Sequence, residues 1–405
     1  YYWLKEALQY QSLKAAVLDC YELFQDCKKD EGGTRLAFDD MRWGPVKREA
    51  VKAVCGYNEE LLGESYLFPN IRFHTRWTGL NETDFTWGEF GDVPELKGFW
   101  LYRDMCGYEE YEPLQVQESG EGREKASFQK EAEEYLDKMA ELCRENGVEL
   151  ILVKTPTLAE TLDRHYAIAD YAKENGLKFY DFNVKELFEE IGFDYEKDMN
   201  DSSEKGEKNA HANPSGARKM TDYLGKELLE KCGVTPKEDW QWEATREFGQ
   251  GIWTDFQLRN EKNLRNYLTM LSDPRYTVFI AVKDEAMTCL DEGLQEQLRN
   301  LGLQADWSDA YRKSYYAVLE GGQVKEERMA GEKLERMGSF RGGRVLYRIV
   351  SAGAECGNDC SIQINGGEKA KKQRGLNLVI YNHELRSVVD SVCFDTYVPE
   401  LTASR

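Results

Sequence analysis

The residues able to do chemistry gather in a few places, and the most informative stretch is Lys197 to Arg218. His211 lies beyond Asp198 and Asp201 in an acidic loop, just before Asn213-Pro214, a pair that opens a helix. A histidine there can act as a general base while a carboxylate orients its other ring nitrogen. The same residues also fit a capped helix with a surface histidine, since base histidines are few. Phe73-His74-Thr75-Arg76-Trp77 is a second cluster. Arg76 suits a carboxylate or phosphate, and His74 can line the same cleft. Equally, Arg76 can stack on Trp77 and hold its own segment together. His165 reads as a surface residue in mid-helix, and His383 as part of a hairpin turn after Tyr381-Asn382.

These residues need a frame. Residues 1–14 read as the end of an amphipathic helix, followed by a short buried strand at 15–20. Residues 22–126 read as irregular, rich in aromatics and Gly. Ser127 reads as the cap of a helix with Phe128, Leu136, Met139 and Cys143 on one face, stopped by Gly147. Strands are predicted at 148–153 and 178–182, with a helix over 158–175 between them and another from Pro214 to about 232. Strands alternating with helices make a doubly wound parallel sheet, whose ligands sit at the carboxyl ends of the strands. That rule points at Asp19, Lys154 and Asp181. Lys154 joins His74 and Arg76 as a candidate substrate-binding residue.

Residues 236–250 read as a linker between a first domain at 1–235 and a second at 251–405. The second has helices at 258–272 and 290–301, a β-rich run at 276–282, and short β runs at 314–319, 345–351, 360–364, 376–381 and 387–393. This predicts an α+β domain with a mostly antiparallel sheet. The runs Tyr276–Glu285, Arg374–Tyr381 and Val388–Tyr397 are buried strands with polar ends, which suit a polar pocket or ordinary turns.

Length and composition agree. A chain of 405 residues implies two domains, and 31% charged with 41% hydrophobic residues excludes a disordered chain. No apolar run is long enough to span a bilayer. A net charge of −21 argues against nucleic acid as a partner. The ten cysteines read mainly as small core residues. Cys356 and Cys360 flank a turn and can pair, but C-x3-C without a second pair is a poor zinc signal, so no metal is expected.

The block His211-Ala-Asn-Pro-Ser-Gly-Ala-Arg-Lys-Met-Thr-Asp-Tyr-Leu-Gly225 resembles the closing block of SGNH (GDSL-type) hydrolases, nearest their DltD-like and alginate-acetyltransferase-like branch. Val153-Lys-Thr-Pro156, Lys178-Phe-Tyr-Asp-Phe-Asn183 and Phe73–Trp77 are similar to further segments of that family, so the resemblance covers about residues 1–232. It implies a Ser-His-Asp mechanism with His211 as base. The family spaces its acid and histidine as Asp-x-x-His. The acidic insertion widens that gap here and leaves Asp198 and Asp201 both as candidates. The family's serine follows a first strand in a Gly-Asp-Ser or Gly-Ser-Ser turn, upstream of the segment matching residues 1–21. Ser65, Ser127, Ser202, Ser203 and Ser215 lack that setting. The expectation is a chain trimmed at Tyr1, the upstream segment bringing the serine, central strands and an anchor. Read as complete, the hydrolase half is inactive.

Tyr276–Glu285, Arg374-Gly-Leu-Asn377 and Phe394-Asp-Thr-Tyr397 resemble the ILEI/PANDER-like domain, with their order circularly permuted. That family includes secreted cytokine-like proteins and a sugar-recognising stem domain of a glycosyltransferase. The resemblance implies carbohydrate binding, with Asp284, Arg312 and Arg374 as its residues, each at or near a strand end.

The sequence thus predicts an envelope-associated, extracytoplasmic O-acyl esterase or acyltransferase with a sugar-binding module. Its partners would be a cell-surface polysaccharide or teichoic-acid-like glycan and a membrane acyl-transfer protein, with no cofactor. The alternative is an inactive SGNH-like scaffold serving as a glycan-binding adaptor. A third reading, an intracellular protein, rests on ten cysteines without a disulfide pattern.

Overall fold

The structure, a computed structural model, describes residues 1–25, 31–57, 63–80, 96–97, 99, 101–105, 111–117, 123–200, 211–236 and 238–405. The chain divides into two compact units, Tyr1–Thr86 with Met105–Asp239, and Trp87–Asp104 with Trp240–Arg405.

The first unit is built on a parallel sheet of β1 (Ala15–Asp19), β2 (Glu149–Lys154) and β3 (Lys178–Asp181), in that spatial order. β2 sits between its partners and is apolar on both faces, because helices cover both sides. Leu150 and Leu152 point into a core with Leu136, Ala140, Cys143, Ile168 and Tyr171. Ile151 and Val153 point into another with Phe182, Phe188, Met199 and Met220. The helix Lys130–Asn146 is capped by Gln129, not Ser127. The Gln129 side chain accepts from the Ala132 amide at 2.9 Å, and Gly147 closes the helix at φ 65°. The segment expected as irregular holds the helices Glu31–Phe38, Pro45–Tyr57 and Gly63–Leu67, which bury Phe38, Met41, Val46, Ala50, Val51 and Tyr66 together.

Among its described residues the second unit holds ten strands: β4 (Tyr276–Asp284), β5 (Ser314–Glu320), β6 (Gln323–Ala330), β7 (Leu334–Phe340), β8 (Val345–Gly353), β9 (Asp359–Ile364), β10 (Gly367–Glu368), β11 (Gly375–Asn382), β12 (Ser387–Phe394) and β13 (Ala403–Ser404). All pair antiparallel except β4 with β8, which meet in parallel at Lys283–Asp284 and Ala352–Gly353. β4 alternates between two cores. Val278, Ile280 and Val282 meet the helices, and Phe279 and Ala281 meet β8 and β9. The stretch expected as a linker is helical from Trp240, in a helix that runs to Asn260. The helix expected over 258–272 breaks at Asn263, whose side chain caps a new helix, Leu264–Met270. Leu101 lies in the core of this unit, and Arg103 donates to Ser387 Oγ and the Val388 carbonyl. Among the described residues no helix is long and apolar enough to cross a membrane.

Candidate functional site

At the carboxyl ends of β1–β3 the polar groups close on one another. Asp19 accepts from the Tyr21 and Thr155 amides at 2.8 and 3.3 Å. Lys154 is fully buried, with Nζ 2.7 Å from Glu160 Oε2 and 4.8 Å from the Tyr21 ring centre. Burial pushes the Glu160 carboxyl above its ordinary range, and its Oε1 has no hydrogen bond. His165, expected on the surface, is buried, with Nδ1 2.7 Å from Asp181 Oδ2. Asp181 Oδ1 accepts from the Asn183 backbone and side-chain amides. Asn183 Oδ1 accepts in turn from Tyr111 Oη and the Thr157 amide. The sequence pointed at Asp19, Lys154 and Asp181 but not at their partners Glu160, His165, Asn183 and Tyr111, which only the fold brings to them. These groups fix the turns that leave the strands.

The His211 segment is clamped at its base. The Asn200 amide donates to the His211 carbonyl at 2.6 Å, Met199 pairs with Ala212, and the Asn213 amide donates to the Asp198 carbonyl at 2.9 Å. Asn213 caps the helix Pro214–Lys231, and its Nδ2 reaches back to the Lys197 and Met199 carbonyls. A Cβ on Gly216 would stand 2.3 Å from the Asp198 carbonyl oxygen, so glycine is needed where this helix begins. Asp198 is fully buried, and its Oδ2 accepts from Lys219 Nζ at 2.6 Å and the Asp194 amide at 2.7 Å. Its Oδ2 is thus committed to Lys219, while Oδ1 is buried without a hydrogen bond. The His211 side chain is exposed. Asp201 lies outside the described residues. His74 and Arg76 sit in exposed helical turns with local bonds, His74 Nδ1 to the Ile71 carbonyl and Arg76 Nη1 to the Gly79 carbonyl.

Asp284, Arg312 and Arg374 come together at one end of the second sheet. Asp284 ends β4, pairs with Gly353, and holds φ at 64°. Arg312, at φ 57°, precedes β5, and a Cβ on Gly353 would stand only 2.0 Å from its carbonyl oxygen. Arg374 precedes Gly375, which pairs with Lys283 at the same end. Its guanidinium forks onto Asp395 at 3.0 and 2.7 Å and lies 4.4 Å from the Tyr397 ring centre. The bond to Asp395, with Asp284 adding its charge, holds Arg374 above its ordinary pKa. Arg312 Nη1 lies 3.4 Å from Glu355 Oε1, and its guanidinium lies over Tyr311. Both tyrosines are about half exposed.

Sequence reasoning missed Glu285 and Thr396 behind this rim. Glu285 Oε1 accepts from the Met287 and Thr288 amides, while Glu285 Oε2 and Thr396 Oγ1 are buried without a hydrogen bond. Thr396 and Tyr397 lie inside the quoted Phe-Asp-Thr-Tyr run, which was the available signal. Cys356 and Cys360 are free thiols, not a disulfide, as are the other described cysteines. Among the described residues no group of three or more His, Cys, Asp or Glu can hold a metal ion.

Comparison with known families adds one match. Residues 252–323 match the family model described as Interleukin-like EMT inducer. No curated protein and no solved structure matches the chain. The matched stretch runs from the middle of the helix Trp240–Asn260 to the first residue of β6. It contains Asp284 and Arg312, while Arg374 and Asp395 lie beyond it, Arg374 just before β11 and Asp395 just after β12, two strands that pair with each other. The second unit is therefore similar to the ILEI family over residues 252–323.

Proposed function

We propose that the protein recognises a glycan through the rim of its second unit and carries SGNH-type acyl-transfer chemistry in its first. It would act in the cell envelope, outside the cytoplasm, as an O-acyl esterase or acyltransferase on a surface polysaccharide. The observation that carries the reading is the convergence of Asp284, Arg312 and Arg374, each guanidinium held by a carboxylate and lying over an exposed tyrosine. Aromatic faces beside charged donors and acceptors suit a sugar, whose ring has apolar faces and whose edge carries hydroxyls.

In the first unit, His211 would take the proton of a serine hydroxyl as it attacks the acyl carbonyl, a serine that none of those in this sequence has the setting to supply. It would then return that proton to the departing alkoxide, and a glycan hydroxyl or water would take the acyl group from the serine. Lys219 already neutralises Asp198, so Asp201 is the acid proposed to orient His211. Calorimetric titration with N-acetylglucosamine tests the rim. Arg374→Ala should abolish binding with little change in stability, since an exposed ion pair contributes about 0–1 kcal/mol. Unchanged binding overturns the rim reading. For the chemistry, a protein that also carries the nucleophile serine should hydrolyse p-nitrophenyl acetate, and His211→Ala should abolish that hydrolysis; hydrolysis retained by the variant refutes it. The second reading, a glycan-binding adaptor without catalysis, is favoured by the commitment of Asp198 to Lys219.

A further inference from the structure

The second unit holds a cleft at the opposite end of β4 from the rim. It measures about 560 Å³ and opens between one face of the helix Trp240–Asn260 and the turns at Asp273–Arg275 and Glu384. Arg275 forms much of its floor, forking onto Asp273 through Nε and Nη2 at 3.0 and 2.7 Å. Its Nη1 has no hydrogen bond, standing 3.9 Å from Asp255 Oδ1 and 3.8 Å from Glu384 Oε2. Gly251 makes the room, since a Cβ there would stand 2.1 Å from Nη1. Glu247, Phe248, Thr254 and Glu384 also line it, the Thr254 hydroxyl donating to the Gln250 carbonyl at 3.1 Å and keeping its acceptor capacity.

We propose that this cleft is a second saccharide subsite. The proposal rests on the glycan reading above, because both sites would hold units of one polymer. Carboxylates on the walls accept from sugar hydroxyls, Nη1 donates to a ring or hydroxyl oxygen, and Phe248 packs an apolar sugar face. An anionic ligand is disfavoured, because Glu247, Asp273 and Glu384 outnumber Arg275. β4 spans nine residues between the two sites, about 30 Å at ~3.4 Å per residue. One glycan chain occupying both gains affinity without any new contact.

The test is hydrogen–deuterium exchange of the full chain with N-acetylglucosamine and with its linear hexamer. The expected result is that the hexamer protects residues 244–256 and 382–386 at the cleft as well as residues 284–290, 374–377 and 393–397 at the rim. Its affinity should exceed the monomer's by at least about tenfold. Glu384→Gln and Thr254→Val, both at cleft-lining positions, should remove that gain and leave monomer binding at the rim unchanged; Arg275→Ala is the stronger variant. Protection at the rim alone overturns the subsite and leaves the glycan reading standing. Protection at the cleft alone overturns the rim reading and keeps the cleft as a sugar site. Protection at neither overturns both.

Discussion

Asp255 gives the sharpest quantitative test of the second unit. It sits in the helix Trp240–Asn260, is 3% exposed, and accepts from Tyr276 Oη at 2.5 Å and Asn382 Nδ2 at 2.8 Å. Burial raises its carboxyl from 3.8 to about 6, although these bonds and the Arg275 and Arg103 charges pull the other way. A carboxyl raised in the fold is protonated there while it is ionised in the unfolded chain. The folded state therefore binds the extra proton between pH 4 and 6, and stability falls as pH rises through that window. The loss is about 3 kcal/mol, at about 1.4 kcal/mol per tenfold change in proton affinity. Other carboxylates obscure this in the wild type, because those held below their ordinary range lose stability as pH falls. The difference between wild type and Asp255→Asn cancels them. Asparagine keeps the bond from Tyr276 but sets its amide against that of Asn382, a pH-independent penalty of about 1–3 kcal/mol. Urea unfolding of the full chain from pH 4 to 7.5 should show Asp255→Asn gaining on wild type as pH rises to about 6 and then levelling. A flat difference would refute the desolvation of Asp255. A difference of opposite slope would mean that Arg275 and Arg103 outweigh burial.

Three further outcomes follow from single contacts. Gly353→Ala puts a methyl group 2.0 Å from the Arg312 carbonyl, so it should destabilise the second unit by about 1–3 kcal/mol and weaken sugar binding, as read by thermal unfolding and titration. Lys154→Met strands the buried Glu160 carboxylate and should lower the stability of the first unit by about 3–5 kcal/mol at neutral pH; Lys154→Met with Glu160→Leu should recover most of that in a denaturant midpoint. Asn213→Ala removes a helix cap and two bonds to the Lys197–Met199 backbone, so a loss of about 2 kcal/mol or more is expected, together with faster exchange of the Asn200 amide.

Much of the frame was legible because the local signals were strong. The three parallel strands stand out as apolar runs such as Leu150–Val153, and the caps at Asn213, Gly147 and Gly176 are plain in the sequence. β6 and β7 were passed over because they face solvent on one side. Gln323–Ala330 carries Lys325, Glu326, Glu327 and Arg328, where charge hides the alternation. The linker reading failed for a similar reason. Trp240 and Trp242 are exposed, so the first turns of their helix show no apolar stripe. The place of Leu101 and Arg103 in the second unit was invisible, because it depends on contacts with Val388 and Ser387 nearly three hundred residues away. For the site, the family resemblance named Asp284, Arg312 and Arg374, while the strand-end rule pointed at Asp19, Lys154 and Asp181. The Lys154 side chain is turned inward and neutralised.

The contrast between the two strand-end clusters separates positioning from binding. At β3 of the first unit, the groups of Asp181 and Asn183 are spent on one another and on the turns they hold. Those two side chains have little left for a ligand, although Glu160 Oε1 in the same cluster stays unpaired. The rim of the second unit is built the other way. Asp284, Arg312 and Lys372 all hold left-handed backbone there without being glycine, each at a cost of about 1–3 kcal/mol. Gly375, at φ 106°, lies with its Cβ position 2.1 Å from the Phe394 carbonyl, so no other residue fits beside Arg374. Behind them, Glu285 Oε2 and Thr396 Oγ1 stay unpaired. Strain and unmet hydrogen-bonding capacity persist only where the surrounding fold enforces them. Here β4, β8 and β11 all end at that rim, which is why the glycan site proposed above is placed there.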